Sequence, residues 1–180
     1  MSSGMLTMNV DARQLERAPR VVARAWVVAG NRAVRRTTQW ARTHGSRAIA
    51  QAEQIPVGRI RKRMRGQVQK QPNGSLVGKA WFGLKPMPAS YAGKPRQLRR
   101  GGTRAGKHSW EGGFVATMPN GHTGIFERMG RSRLPIVETM LHLEKAPDAL
   151  RPVERQIPEQ LSKALEQELK YEMLKQQGGA

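Results

Sequence analysis

Residue types that carry out acid–base, nucleophilic or metal chemistry are present in this sequence but stand far apart. The four histidines, His44, His108, His122 and His142, do not combine with carboxylates or thiols into a metal-ligand motif. No serine occupies a nucleophile elbow, and the pair Gly101-Gly102 lacks the Lys-Ser/Thr ending of a phosphate-binding loop. We therefore expect no catalytic centre, no metal and no cofactor.

The carboxylates also fail to form a general acid–base pair. Most of them fall on a predicted C-terminal helix, where we expect an outward, solvated face made of Glu154, Glu159, Glu166, Glu168 and Glu172. Glu127 and Glu138 in the predicted β region stay without an assigned role. The one enzyme class that a basic chain could still belong to is a nuclease. The sequence, however, lacks the carboxylate cluster that would hold a divalent cation for that reaction.

Basic side chains are the abundant chemical groups, and they form two clusters that favour contact with DNA or another anionic partner. One cluster lies in a predicted short helix and contains Arg59, Arg61, Lys62, Arg63 and Arg65. The other lies in the glycine-rich segment 93–107 and contains Lys94, Arg96, Arg99, Arg100, Arg104 and Lys107. Such a segment, without apolar periodicity, is expected to be a mobile loop that follows a phosphate backbone or orders on an acidic protein.

Two other patterns could contact nucleic acid. The stretch AIAQAEQIPVGRIRKRM has the helix, break and basic helix order of a helix–turn–helix, but its charges bind phosphate without reading bases. Trp26, Trp40, Trp81 and Trp110 could stack on bases, whereas their positions on predicted apolar faces favour packing in a core or between subunits. We expect non-specific DNA proximity or protein contact rather than sequence-specific binding.

Composition limits the architecture and points to an anionic partner. The 180 residues carry a net charge of +19, are 38% hydrophobic and include no cysteine, so we expect one modest core, no disulfide and assembly in the cytosol. Residues 1–107 contain 23 basic and 3 acidic side chains (net +20), whereas residues 108–180 contain 9 and 10 (net −1). No apolar run is long enough to predict a membrane segment. The basic excess thus lies wholly in the N-terminal part.

The N-terminal part has helical periodicity. A basic amphipathic helix is predicted from Asp11 to about His44, weakened at Gly30 and Asn31 and ended by Gly45. Ser46 would cap a second helix to about Gln54, and Pro56 would begin the short basic helix.

The C-terminal part is predicted to be a small β region followed by a helix. After the turn at Pro72-Asn73-Gly74 we expect a strand at about 75–84, then a β-hairpin at 110–116 and 122–129 around Pro119-Asn120-Gly121, and a short edge strand at 134–137. Leucine-rich periodicity predicts an amphipathic helix at 152–175. The fold class is therefore α+β, divided into a basic helical segment 1–70, a β region 71–151 with the basic loop 93–107, and a C-terminal helix and tail 152–180.

A pattern within the β region resembles a known family. It consists of Gly113-Phe114, the turn Asn120-Gly121, and Glu127-Arg128-x-Gly130-x-x-Arg133-x-Pro135-Ile136, followed by a polar C-terminal helix. This order is similar to that of the minor tail protein Z (tail completion) family of tailed bacteriophages over about residues 105–175. These motif residues are of structural types, and the resemblance supplies no catalytic residue.

The resemblance implies a structural virion protein that completes the tail or its junction with the head. It implies partners among tail tube, tail terminator and neck proteins, with packaged DNA close by. We expect a homo-oligomeric ring with the symmetry of the tail, six-fold by preference. The alternative is a non-specific nucleic-acid-binding protein of ribosomal or nucleoid type, which would bind tightly as a lone chain.

Overall fold

Two long helices lie side by side along the molecule. The structure, a computed structural model, describes residues 3–10, 20–71 and 76–177. Helix α1 (Arg20–Ala52) has 33 residues and helix α3 (Ala146–Gln177) has 32, and each is therefore about 50 Å long. Arg36 of α1 contacts Glu168 of α3, and Glu53, just after α1, contacts Lys145, just before α3. The two helices therefore run antiparallel.

A three-stranded antiparallel sheet packs against α1. Its strands are β1 (Ser3–Val10), β2 (Met64–Lys70) and β3 (Leu76–Gly83), and β3 lies in the centre. Leu6 pairs with Ala80 in the register, and both are buried on the side of the sheet that faces α1. Leu6 and Ala80 belong to the main core with Ile49 of α1 and Ile157 of α3, so the sheet and both helices share one apolar interior.

The rest of the chain forms short elements at one end of this core. Helix α2 spans Val57–Arg61, and the turn Ala89–Ala92 is a 3₁₀-helix. The short strands are β4 (Met87–Pro88), β5 (Pro95–Gln97), β6 (Thr103–Ala105), β7 (His108–Trp110), β8 (Phe114–Thr117), β9 (Thr123–Arg128), β10 (Ile136–Glu138) and β11 (Met140–Leu141). They pair as β5-β6-β7, β10-β9-β8 and β11-β4. A second small core of Ala89, Ala92, Ala105 and Ile125 holds them together.

The α+β fold class is confirmed, and so are several of its predicted elements. The strand expected at 75–84 is β3, and the hairpin around Pro119-Asn120-Gly121 is β8 and β9. The predicted C-terminal helix is α3, which begins earlier and continues through Pro152 and Pro158. Both prolines are exposed, so water can satisfy the carbonyls that lose a helical partner. The predicted turn at 72–74 and the helix start at Asp11 lie outside the described residues.

The predicted break of the first helix at Gly45 is wrong, because α1 is continuous from Arg20 to Ala52. Gly45 is buried, and a methyl group in its place would lie 2.5 Å from Cε1 of Phe82. The glycine therefore makes room for the largest buried ring of the core, and tertiary packing outweighs its weak helix propensity. Ser46, expected as a helix cap, instead donates its hydroxyl to the carbonyl of Arg42 within the same helix.

Two further predictions are corrected in the basic regions. Segment 93–107 is not an unstructured loop but contains the β5–β6 hairpin, whose Thr103 and Ala105 side chains are buried while Arg104 is exposed. Segment 1–70 is not wholly helical, because β1 and β2 lie within it and Arg65 belongs to β2 rather than to a helix. In both places small or apolar residues alternate with polar ones over only a few positions. Such short stretches give no clear strand periodicity in the sequence, so these strands are not predicted.

The contact between Gly45 and Phe82 gives a test of the core. We expect Gly45→Ala to lower the free energy of unfolding by about 1–3 kcal/mol, because the added methyl overpacks the ring. The matched control is Gly58→Ala in α2, where no atom lies within 4 Å of the added methyl. That variant should be neutral or slightly stabilising in urea unfolding. Equal stability of the two variants would contradict the packing described.

Candidate nucleic-acid interface

Some arginines of α1 are neutralised within the molecule. Arg36 donates hydrogen bonds to Glu168 at 2.7 Å and to Gln167 at 3.0 Å, and Arg32 pairs with Glu172. The prediction that Glu168 and Glu172 face outward is therefore wrong, since both carboxylates point at α1 and Glu172 is 9% exposed. These arginines hold the two long helices together and are not free to bind an external anion.

The two predicted basic clusters come together in one surface groove. Three adjoining pockets of about 340, 590 and 390 Å³ form it, with Lys94 shared by the first two and Arg59 and Tyr91 shared by the last two. We call this surface the basic groove. Its cations are Arg59, Lys62, Arg63, Lys94, Arg96 and Arg104. No carboxylate lines any of the three pockets in the described part of the chain, so the groove attracts anions.

Helix α2 and the 3₁₀ turn shape one end of the groove. The α2 helix buries Ile60 in the main core, which leaves the neighbouring Arg59 and Lys62 on the surface. The guanidinium of Arg59 lies 4.7 Å from the ring centre of Tyr91, a cation–π contact that fixes its position. Arg63 is half-buried, and its Nη1 has no hydrogen-bond acceptor among the described groups. At this end the fold therefore orients Arg59 against Tyr91 and half-buries Arg63.

The other end of the groove places two like charges face to face. Arg96 of β5 and Arg104 of β6 are direct partners in the antiparallel register, and both are exposed. Residues so paired have Cβ atoms only about 5 Å apart, and like charges there destabilise the pair. Lys94 lines the same pocket. An anion between these side chains would remove the repulsion, so this arrangement is suited to a phosphate.

The remaining predicted contact residues lie outside the groove. Arg99 and Arg100 are exposed at the tip of the β5–β6 hairpin, which Gly101 and Gly102 close with positive φ angles. Lys107 is exposed in the β6–β7 turn. Arg61 is exposed on α2, and Arg65 lies on β2 in the first sheet. The structure thus gathers six of the predicted cations and separates five.

The hairpin half of the family pattern has structural roles that the contacts explain. A methyl group on Gly113 would lie 2.6 Å from Oγ1 of buried Thr103, and Gly121 has a φ of +80° in the turn. Asn120 closes that turn by accepting a hydrogen bond from the backbone N–H of His122 at 3.0 Å. Phe114 of β8 packs beside Phe126 of β9.

The second half of the family pattern forms a surface loop. Glu127 and Arg128 end β9, Ile136 begins β10, and the two strands pair with Ile136 opposite Arg128. Between them Gly130, Arg133 and Pro135 are exposed, and the backbone N–H of Met129 donates to the carbonyl of Pro135. Arg128 also covers the ring of Phe114. This loop is closed by backbone contacts and stays on the surface.

The histidines do not build a metal centre in the described part of the chain. His122 borders the groove and its Nε2 lies 2.7 Å from Oε1 of Glu138, while His108 contacts the backbone carbonyl of Glu53. No cluster of three potential ligands occurs among the described residues. The helices of the described residues also include none with the length and hydrophobicity that a membrane span requires.

The helix–turn–helix pattern is not realised. The second helix of the motif is only the five-residue α2, and the chain then enters β2, so no recognition helix is presented. Core packing is confirmed for Trp40 and Trp110, which lie against the two apolar clusters. Trp81 is 39% exposed on the sheet surface that faces away from α1, so it does not pack in the core, and packing between subunits stays a prediction for it.

Tyr91 is the groove residue that the sequence does not indicate. It stands alone between a proline-rich stretch and the basic segment 93–107, and no periodic pattern includes it. Only the fold brings it next to Arg59. The nearest sequence signal is an aromatic residue close to a basic run, which is typical of nucleic-acid surfaces but weak by itself.

Comparison with protein families extends the resemblance noted in the sequence. The family model described as prophage minor tail protein Z (GPZ) matches residues 12–177. No curated protein and no solved structure matches the chain. The matched range includes α1, α3, the basic groove and the whole β region.

The ion pairs between α1 and α3 can be tested by stability. We expect Glu168→Gln with Glu172→Gln to lower the free energy of unfolding by about 1 kcal/mol, because the two carboxylates are largely buried but their arginine partners are half-exposed, and water screens the pairs. The loss should be larger at low salt, where the charges are less screened. The control is Glu154→Gln with Glu166→Gln, which changes the net charge equally at two exposed positions of α3. Equal losses in both double variants would show that net charge, not pairing, matters.

Proposed function

The chain belongs to the prophage minor tail protein Z family and is a phage minor tail protein, and from this we propose that it completes the tail or its junction with the head beside the DNA passage. The proposed role is structural and requires no catalysis by the chain. The observation that carries it is the basic groove, where Arg96 opposes Arg104 next to Lys94. A basic surface of this kind would attract the phosphate backbone of DNA that passes it.

The groove fits the phosphate backbone better than it fits bases. Its charged groups are guanidinium and ammonium groups, which bind phosphate oxygens without reading sequence. Arg59 and Tyr91 lie at one end and Arg104 at the other, so several phosphates of one strand can be contacted at once. Binding of this type falls steeply with salt. We therefore propose non-specific contact with packaged DNA.

Assembly would multiply this weak contact. We propose that copies of the chain form a ring with the symmetry of the tail, six-fold by preference, and meet tail tube, tail terminator and neck proteins. Repeated copies around one DNA would add their phosphate contacts by avidity. The surface loop between β9 and β10 offers such partners the exposed side chains of Met129 and Leu134, each about two-thirds exposed. Assembly in the host cytoplasm and residence in the virion follow from this role.

The alternative is a cellular nucleic-acid-binding protein of ribosomal or nucleoid type. It shares the high basicity, and it predicts tight DNA binding by the isolated chain. The proposed role predicts weak binding by one chain and much stronger binding by the assembled form. The family membership favours the virion role.

Charge removal in the groove tests the DNA contact. We expect Arg96→Gln with Arg104→Gln to weaken binding to a DNA duplex and to reduce the slope of log K against log salt by about 2, since two phosphate contacts are lost. Fluorescence anisotropy over a salt series measures both quantities. The control, Arg151→Gln with Arg155→Gln on the exposed side of α3, should leave the slope nearly unchanged. A slope that is unchanged in the groove variant would assign the groove to protein contact instead.

A further inference from the structure

The first sheet has a second face that the groove does not use. Side chains at every other position of β1, β2 and β3 point away from α1, and two of the rows of paired residues there are largely exposed, whereas Val77 in the next row is buried. We call this face the platform. Its rows are Met5, Trp81 and Arg65, and Thr7, Lys79 and Gln67. Directly paired residues of antiparallel strands share one face, so each row is a set of neighbours.

Contacts on the opposite face settle which way the platform points. A methyl group on Gly78 would meet the side chains of Thr38 and Val34 in α1, and one on Gly66 would meet Thr38. Gly78 and Gly66 alternate with the platform residues along β3 and β2, so the platform residues face away from α1. Met5 is 57% exposed, and Arg65 is exposed as well. The platform is therefore an open surface of the described molecule.

Trp81 lies at the centre of the platform. A methyl group on Gly83 would lie 2.9 Å from Cη2 of Trp81, so the glycine leaves space for the indole to lie along its own strand. Met5 and Arg65 flank it on the two neighbouring strands. An indole that lies beside Gly83 and is still 39% exposed presents part of its ring to a ligand.

The charge of the platform restricts what that ligand can be. Arg65 and Lys79 are cationic, Thr7 and Gln67 are neutral and polar, and none of the six platform side chains is a carboxylate. A flat aromatic group beside cations binds a base by stacking and the adjacent phosphates by charge. We propose that the platform binds single-stranded nucleic acid, with a base on Trp81 and phosphates on Arg65 and Lys79.

A single strand fits this surface, whereas a duplex does not. In a duplex the faces of the bases are stacked on each other and cannot reach an indole, so only an unpaired base can use Trp81. Stacking on an aromatic ring is tolerant of sequence, because every base has a π-face. The inference goes beyond the proposed function, which concerns duplex DNA at the basic groove. None of the six platform residues belongs to the basic groove.

The test compares strands with and without bases. Wild-type protein should bind an oligothymidylate more tightly than an abasic strand of equal length, and Trp81→Ala should weaken oligothymidylate binding about tenfold and abolish the preference. Trp81→Phe should keep most of the preference, because it keeps a ring. The control is Tyr171→Ala, which removes an exposed aromatic side chain of α3 and should change neither affinity. Fluorescence anisotropy measures all four proteins.

A second measurement guards against misfolding of the alanine variant. Oligothymidylate should quench tryptophan fluorescence of the wild type more than the abasic strand does, and the difference should vanish in Trp81→Phe. The outcome that overturns the inference is a base preference that survives Trp81→Ala, or a quenching difference that survives Trp81→Phe. Duplex affinity should follow Arg96 and Arg104 and be unaffected by Trp81→Ala, so failure of the platform and failure of the groove give different results.

Discussion

The antiparallel packing of α1 against α3 brings together residues that are far apart in the chain, and the other elements are built on it. The first sheet covers α1, and its central strand shares one core with both helices. Glu53 at the end of α1 is buried and accepts the backbone N–H of Lys145 at 2.6 Å, which places the start of α3. A carboxylate is favourable there because a helix N-terminus carries positive partial charge. Loss of this pair of helices would leave the sheet without a support.

The same packing determines which positive charges remain for function. The acidic residues of α3 are drawn toward Arg32 and Arg36, so part of the charge on α1 is used within the molecule. The groove around Tyr91 receives no such compensation from the residues that line it. The opposed arginines of the β5–β6 pair repel each other and raise the free energy of the unbound protein. A bound anion would remove this repulsion. Some basic residues, such as Arg32 and Arg36, therefore stabilise the fold, and those of the groove remain for the proposed contact with DNA.

Local chemistry predicts the parts of this fold that depend on neighbouring residues. Asn120-Gly121 predicts the β8–β9 hairpin, because its turn needs a positive φ that Gly121 supplies. The structure departs from the prediction where distant residues decide: Gly45 lies under Phe82, and Arg32 meets Glu172, 140 positions away. The groove combines a part that the sequence predicts with a part that it does not. Its basic residues can be recognised in the sequence by their type. Their meeting depends on the register of Arg96 with Arg104 and on the place of Tyr91, which no local pattern specifies.

We propose that this minor tail protein presents its basic groove to DNA at the head-proximal end of the tail. Electron cryo-microscopy of whole virions tests it most directly, because it shows position, symmetry and orientation together. We expect a closed ring at the end of the tail, with α2 and the β5–β6 hairpin facing the lumen and nucleic-acid density against Arg96 and Arg104. A chain whose groove is buried against another virion protein, with DNA density elsewhere, would contradict it.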